Sequence, residues 1–231
     1  MNAGMDRALL PAVRFCPLFE GLNDAGRARA LELLSCREAR YAKGETIKRV
    51  YAPLHAFGLV LEGAVEAMMD DFDGHPMLMS HVEAGGTFGE ALFYLKREAP
   101  VYIVAAEPCR VLWLGGDCLR TGAGDALAGT LSRRFTAVLA ERVLSMNDRI
   151  QILSKRTLRL KLTALLSQYE KRRGSSFSVP MDRARMAAYI GCDRSALSRE
   201  LCRMRDEGIL SFDRRRFTLL DHKHQCPSER E

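Results

Sequence analysis

From Asp125 to Leu153 the chain has no proline and, after Gly129, no glycine. Its apolar residues Ala128, Leu131, Phe135, Leu139, Val143, Met146, Ile150 and Leu153 recur at steps of three or four. That period belongs to a helix and not to a strand, whose apolar positions alternate. A helix this long must cover its apolar stripe with its own sheet or with a second helix. Arg133, Arg134, Glu141 and Arg142 flank the stripe. A persistent seam with charges beside it predicts a dimerisation helix over 125–153, with Leu131, Phe135, Leu139, Val143, Met146 and Ile150 facing a second copy.

The texture differs on either side. Upstream, "NDAGRARALELLS" (23–35) opens with cap-type residues and reads as a short helix. Between Tyr41 and Leu114, β-rich stretches such as "FGLVLEGAVEAMM" and "VYIVAAEPCRVLWL" alternate with turn signals at Gly44, Gly63, Asp73-Gly74, Gly85-Gly86 and Gly89. Many short antiparallel strands joined by tight turns predict a sandwich, jelly roll or barrel. No βαβ alternation is present, which excludes a Rossmann domain. The expected class is α+β, with a β-domain over 1–124, the helix over 125–153 and a second module over 154–231.

Charge separates the modules as well. Residues 151–231 carry 18 Lys and Arg against 10 Asp and Glu, whereas residues 1–150 carry 17 against 19. A basic second module points to an anionic partner. Within it, Ser154 breaks the long helix and can cap the next, "KRTLRLKLTALLSQYEKRR", which ends at Gly174. A short strand, "FSVP", follows. Asp182 then caps a helix carrying Met186, Ala187 and Ile190, and a three-residue turn at Gly191 leads to another helix capped by Asp193. There Leu197, Leu201 and Met204 make an apolar stripe, while Arg194, Ser195, Ser198 and Arg199 fall on another face. Two strand-like pieces in "GILSFDRRRFTLLD" flank the basic turn Arg214-Arg215-Arg216. Helix-turn-helix plus basic hairpin predicts a winged DNA-binding module whose polar helix face enters a major groove.

Seven cysteines without a Cys-x-x-Cys pair fit reduced thiols better than a disulfide framework. Asp6, Arg7 and Pro11 leave no signal-peptide core. The longest uncharged run, "APLHAFGLVL" at 52–61, falls short of the roughly 18 residues a membrane span needs. A cytoplasmic protein without a membrane partner is expected.

With "FGEAL" (88–92), "RSALSREL" (194–201) and "DEGIL" (206–210) in this order, the chain from about Leu18 to Asp221 resembles the Crp/Fnr superfamily of bacterial transcription regulators. The resemblance implies a β-roll of the cyclic-nucleotide-binding type, related to jelly rolls and cupins, then a dimerisation helix and a winged helix. It also implies a homodimer on a palindromic operator, RNA polymerase as a partner, and an effector sensed in the N-terminal domain. Arg194, Ser195, Ser198 and Arg199 hold positions that face DNA in this family. Arg199 is suited to guanine, since a guanidinium can donate to both O6 and N7, and Arg194 to phosphate. Many members carry Glu where Ser195 stands.

Phe88, Gly89 and Glu90, followed by Ala91 and Leu92, match the start of the family's phosphate-binding cassette. In cAMP-binding members the Glu holds the ribose hydroxyl, and an Arg-Ser pair about ten residues later holds the phosphate. Here that place reads Ala99-Pro100, without a charge, and proline lacks even the backbone donor. Arg97 would need a shifted register to substitute. Glu90 without its arginine would repel an anion, so cAMP binding is not expected. The pocket is expected to favour a neutral or apolar ligand, or to stay closed and leave sensing to a cofactor or thiol.

Haem would need an axial ligand, for which His75, His81 and Cys109 are the candidates, and thiol sensing would use Cys16, Cys109 or Cys118. Cys16 and Cys36 do not make an iron–sulfur cluster set. The tail "HKHQC" (222–226) has metal-compatible spacing, but no metal site is predicted there. The rival of another class is a cupin-like metalloenzyme. Such a roll would offer His55, His75 and His81 with no His-x-His pair, and the winged helix would go unexplained. No catalytic constellation is present, and Ser195 and Ser198 lie on the DNA face. A non-enzymatic regulator is expected, with its effector and cofactor open.

Overall fold

The computed structural model describes residues 13–74 and 76–220. The chain divides into two compact units, 1–142 and 143–231. The division falls inside the long helix.

After a 3-10 turn at Pro17–Phe19, the first unit continues with α1 (Asp24–Leu33), capped by Asn23, whose Oδ1 accepts the Gly26 N–H at 2.8 Å. Eight strands follow: β1 (Arg37–Tyr41), β2 (Thr46–Lys48), β3 (Phe57–Glu62), β4 (Ala64–Asp70), β5 (Pro76–Glu83), β6 (Thr87–Phe88), β7 (Tyr102–Ala105) and β8 (Cys109–Leu114). They form two four-stranded antiparallel sheets, ordered β1-β8-β3-β6 and β2-β7-β4-β5. Both faces of β8 are covered beyond Arg110, which explains its apolar run from Val111 to Leu114. Cys109, Val111 and Trp113 join Val60, Val65, Val82, Phe88 and Ile103 in the core shared by the two sheets. Leu112 and Leu114 turn the other way, toward Leu31, Phe57, Leu59 and Phe93.

Three helices complete this side: α2 (Glu90–Leu95), α3 (Cys118–Thr121) and α4 (Ala126–Leu153). Asp125 starts α4 by accepting the Ala128 N–H at 2.9 Å. The structure corrects the dimer seam at its beginning. Leu131 and Phe135 are fully buried in their own unit. The Phe135 ring lies 5.0 Å from Phe57 and 5.9 Å from both Phe93 and Tyr94. Burying each such side chain stabilises the unit by about 1.5–3 kcal/mol, so neither residue faces a partner. Leu139 is half-buried against the same core. Beyond it Val143, Met146 and Ile150 are 56%, 55% and 60% exposed, although their sequence pattern is that of a buried stripe.

In the second unit Thr157 caps α5 (Leu158–Arg173), its Oγ1 accepting the Leu160 N–H at 3.2 Å. Ser154, expected as that cap, instead donates its hydroxyl to the Gln151 carbonyl at 2.9 Å. Then come β9 (Ser176–Ser178), α6 (Arg183–Ile190), α7 (Arg194–Asp206), β10 (Leu210–Asp213) and β11 (Arg216–Leu219), the strands pairing in the order β10-β11-β9. Ile152 at the end of α4 joins Leu162, Leu165, Phe177, Met186, Leu197 and Phe217 in a single core. Gly191 closes α6 at φ 66°, a left-handed conformation that glycine adopts without steric cost. Among the described residues no helix is long and apolar enough to cross a membrane.

Candidate functional site

The stripe Leu197, Leu201 and Met204 seats α7 on the core, at the four- and three-residue spacing of one helix face. On the other side Arg194, Ser195 and Arg199 are exposed and Ser198 is half-buried. Neither the Arg194 nor the Arg199 guanidinium has a hydrogen bond or ion pair among the described residues. The structure therefore brings the four predicted residues together on one surface and leaves both guanidiniums free to bind.

The two serines act differently from the expectation. The Ser195 hydroxyl donates to Asp193 Oδ1, the carboxylate oxygen that also accepts the backbone N–H groups of Ser195 and Ala196. Those bonds, the Ser195 hydroxyl first, hold the Asp193 carboxyl below its ordinary range. Ser198 donates its hydroxyl to the Arg194 carbonyl at 3.0 Å. Both protons are thus engaged within the protein, and each serine presents lone pairs outward. Cys202 shares this face, exposed and lining an open groove with Ser198, Arg199 and Arg203. Its spacing of four from Ser198 and three from Arg199 could have identified it.

Sequence reasoning also missed the foundation under α7. Arg159 donates to Glu200 at 2.6 Å and, through both terminal nitrogens, to Glu207 at 2.6 and 2.9 Å. Lys161 holds the Ile190 carbonyl at 3.1 Å, at the end of the preceding helix. In the basic hairpin, Asp213 pairs with Arg216, so Arg214 and Arg215 form the turn and Arg216 opens β11. All three arginines are exposed.

The cassette is built around Phe88. A Cβ on Gly58 would lie 2.2 Å from the Phe88 ring, so glycine is needed there for the ring to lie on the strand. The ring meets Trp113 edge-on at 5.4 Å. Gly89, at φ 80°, turns the chain into α2 and directs Glu90 inward, where it is buried. There Glu90 is not an uncompensated charge, which corrects the expectation. Arg142 of α4 donates to its Oε1 at 3.0 Å, and the Thr87 hydroxyl donates to the same oxygen. Ala91 is exposed and Leu92 half-buried. Arg97 and Pro100 are exposed, and the Ala99 carbonyl accepts the Tyr51 N–H at 3.0 Å. The neighbouring cation is Lys48, 3% exposed, whose Nζ donates to the carbonyls of Val101 (2.8 Å) and Arg49 (3.0 Å). Burial pushes its ammonium below the ordinary lysine range.

His81 lies opposite Glu66 on the β4–β5 ladder, with Nδ1 3.2 Å from its Oε1 and Nε2 3.7 Å from Glu83. Both of its nitrogens therefore have carboxylate neighbours. His55 is exposed, and His75 and the "HKHQC" tail lie outside the described residues. Burial pushes the Cys16 thiol up to about 11 and raises Cys109 and Cys118 as well. That opposes the thiolate a redox sensor requires. Among the described residues no group of three or more His, Cys, Asp or Glu is placed to hold a metal ion.

Two family models match the chain. Residues 38–121 match the cyclic nucleotide-binding domain, and residues 160–224 match the Crp-like helix-turn-helix domain. Among solved structures, FixK2 from Bradyrhizobium japonicum is 22% identical with a TM-score of 0.63, over 81% of this chain and 94% of that one. A CooA mutant from Carboxydothermus hydrogenoformans is 19% identical with a TM-score of 0.66, over 87% and 88%. The c-di-GMP responsive global regulator CLP of Xanthomonas campestris is 17% identical with a TM-score of 0.62, over 86% and 100%. At these identities the likeness is one of fold. No curated protein matches the chain.

Proposed function

This chain belongs to the Crp/Fnr superfamily of transcription regulators, and from that premise we propose that it is a homodimeric, sequence-specific regulator answering to an effector other than cAMP. The observation that carries the DNA reading is the free, exposed pair Arg194 and Arg199 on a helix otherwise tightly seated. In this reading α7 enters the major groove, Arg199 reads guanine, Arg194 grips phosphate, and the wing at Arg214, Arg215 and Arg216 tracks the backbone. Two copies meet along Leu139, Val143, Met146 and Ile150, placing half-sites about 34 Å apart on a palindrome. RNA polymerase is the further partner, and the protein is not an enzyme.

The effector reading rests on the cassette. Ala99 and Pro100 offer no cationic clamp, and Glu90, the residue that would hold a ribose, is already engaged by Arg142 and Thr87. The test is a titration of the dimer against an operator selected from a random duplex pool. Arg199→Ala should cost about 1–3 kcal/mol and relax one base position. Added cAMP should leave affinity unchanged. Equal loss on selected and random duplex would refute the role of Arg199, and tighter binding with cAMP would refute the effector reading.

A further inference from the structure

Arg183 opens α6 immediately after its cap, at a helix N-terminus where an arginine facing solvent could hold a phosphate. Its guanidinium is turned elsewhere. It lies 4.8 Å above the Phe212 ring and 5.0 Å above that of Phe217. These two residues stand directly opposite each other on β10 and β11, with rings 5.8 Å apart. From there Nη2 donates to the Arg214 carbonyl at 3.3 Å. The next carbonyl of the turn, that of Arg215, accepts the Val179 N–H at 2.9 Å. One carbonyl of the two-residue turn is therefore tied to the start of α6 and the other to the segment joining β9 to it. Arg214 itself sits at φ 50°, a conformation that a residue with a side chain adopts where its surroundings hold it.

We propose that Arg183 is a positioning residue for DNA binding, clamping the wing turn so that the side chains of Arg214 and Arg215 project toward the phosphate backbone. With their carbonyls drawn inward, the two turn residues direct their side chains outward, where both are exposed. Stacking across two rings while donating in plane uses the flat, forked shape of guanidinium, which an ammonium lacks. Burial holds Arg183 below the ordinary arginine range, consistent with a group facing rings and not water. The inference rests on the wing reading above.

The experiment uses the full-length protein and a duplex it has selected from a random pool, with affinity measured across a series of KCl concentrations. Arg214→Ala with Arg215→Ala should weaken binding and flatten the slope of log K against log[salt] by about 0.9 for each phosphate no longer neutralised. Arg183→Ala and Arg183→Lys should both weaken binding about fivefold at moderate salt with a similar flattening. In the double-alanine wing background, Arg183→Ala should cost less than about twofold further, since residues acting through one element are not additive. Amide exchange at the turn should speed up in both Arg183 variants while the thermal transition is retained. Rescue by Arg183→Lys, multiplicative losses, or unchanged exchange at the turn would overturn the proposal alone. A wing double variant that binds with unchanged affinity and slope would overturn the wing reading and this inference with it, leaving the role of α7 intact.

Discussion

Replacing Arg142 by alanine would strand a buried carboxylate. The Glu90 side chain is 6% exposed and would retain the Thr87 hydroxyl but lose the guanidinium 3.0 Å away. A charge pair at that distance is worth about 1.4 kcal/mol in water and about 5.5 kcal/mol at an effective dielectric constant near 20. Arg142 is itself 38% exposed, which places the pair toward the screened end. Leaving Glu90 unpaired should therefore cost the first unit about 2–3 kcal/mol, below the range for a fully buried pair. Trp113, the only tryptophan in the chain, packs against Phe88 in the same unit, so its fluorescence during urea unfolding follows this unit. In the Arg142→Ala background, Glu90→Gln removes the stranded charge and should recover about 1–2 kcal/mol. A loss below about 0.5 kcal/mol for Arg142→Ala, or strict additivity in the double variant, would refute the pairing argument.

Val143→Glu with Met146→Glu should give a monomer by light scattering and weaken operator binding, because two charges would face the apolar seam without partners. A dimer that survives would place the interface elsewhere. Acid should loosen the second unit through its helix caps. The Asp182 carboxyl is held low chiefly by the Arg185 N–H, and that of Asp193 by the Ser195 hydroxyl. A depressed carboxyl contributes stability above its unfolded value of about 3.9 and loses it as pH falls through the folded value. Asp182→Asn keeps an acceptor for the cap but cannot titrate, so the fall in thermal midpoint between pH 5 and pH 2 should be shallower. An unchanged fall would show that the cap does not drive it.

What could be read in the sequence was local and periodic. Asp193 followed by Leu197, Leu201 and Met204 defines a capped helix and its buried side, so Arg194 and Arg199 fall on the free side by geometry alone. The turn glycines and the texture of β8 likewise indicate an antiparallel β-domain. Periodicity states which residues share a face but not what covers it, so Leu131 and Phe135 joined the seam although their own unit buries them. The sequence pattern predicts that Ser154 caps α5, but Thr157, three residues further on and also a hydroxyl residue, does so. The partnership of Glu90 with Arg142 spans 52 positions and leaves no local signal. The clamp of Arg183 on the wing requires knowing that Phe212 and Phe217 stand in register.

The long helix turns chain length into an angle. Each residue of α4 advances the helix by 100° and about 1.5 Å. One residue inserted near Asn147 would swing Val143 and Met146 by about 100° relative to Ile152, which the second unit buries in its core. Seven inserted residues would nearly restore the phase and displace the exposed stripe by about 10 Å along the axis. This stretch can therefore change length only in steps near three, four or seven, whereas the hairpin tip at Asp71 to Gly74 can gain or lose single residues without altering which way any other side chain points.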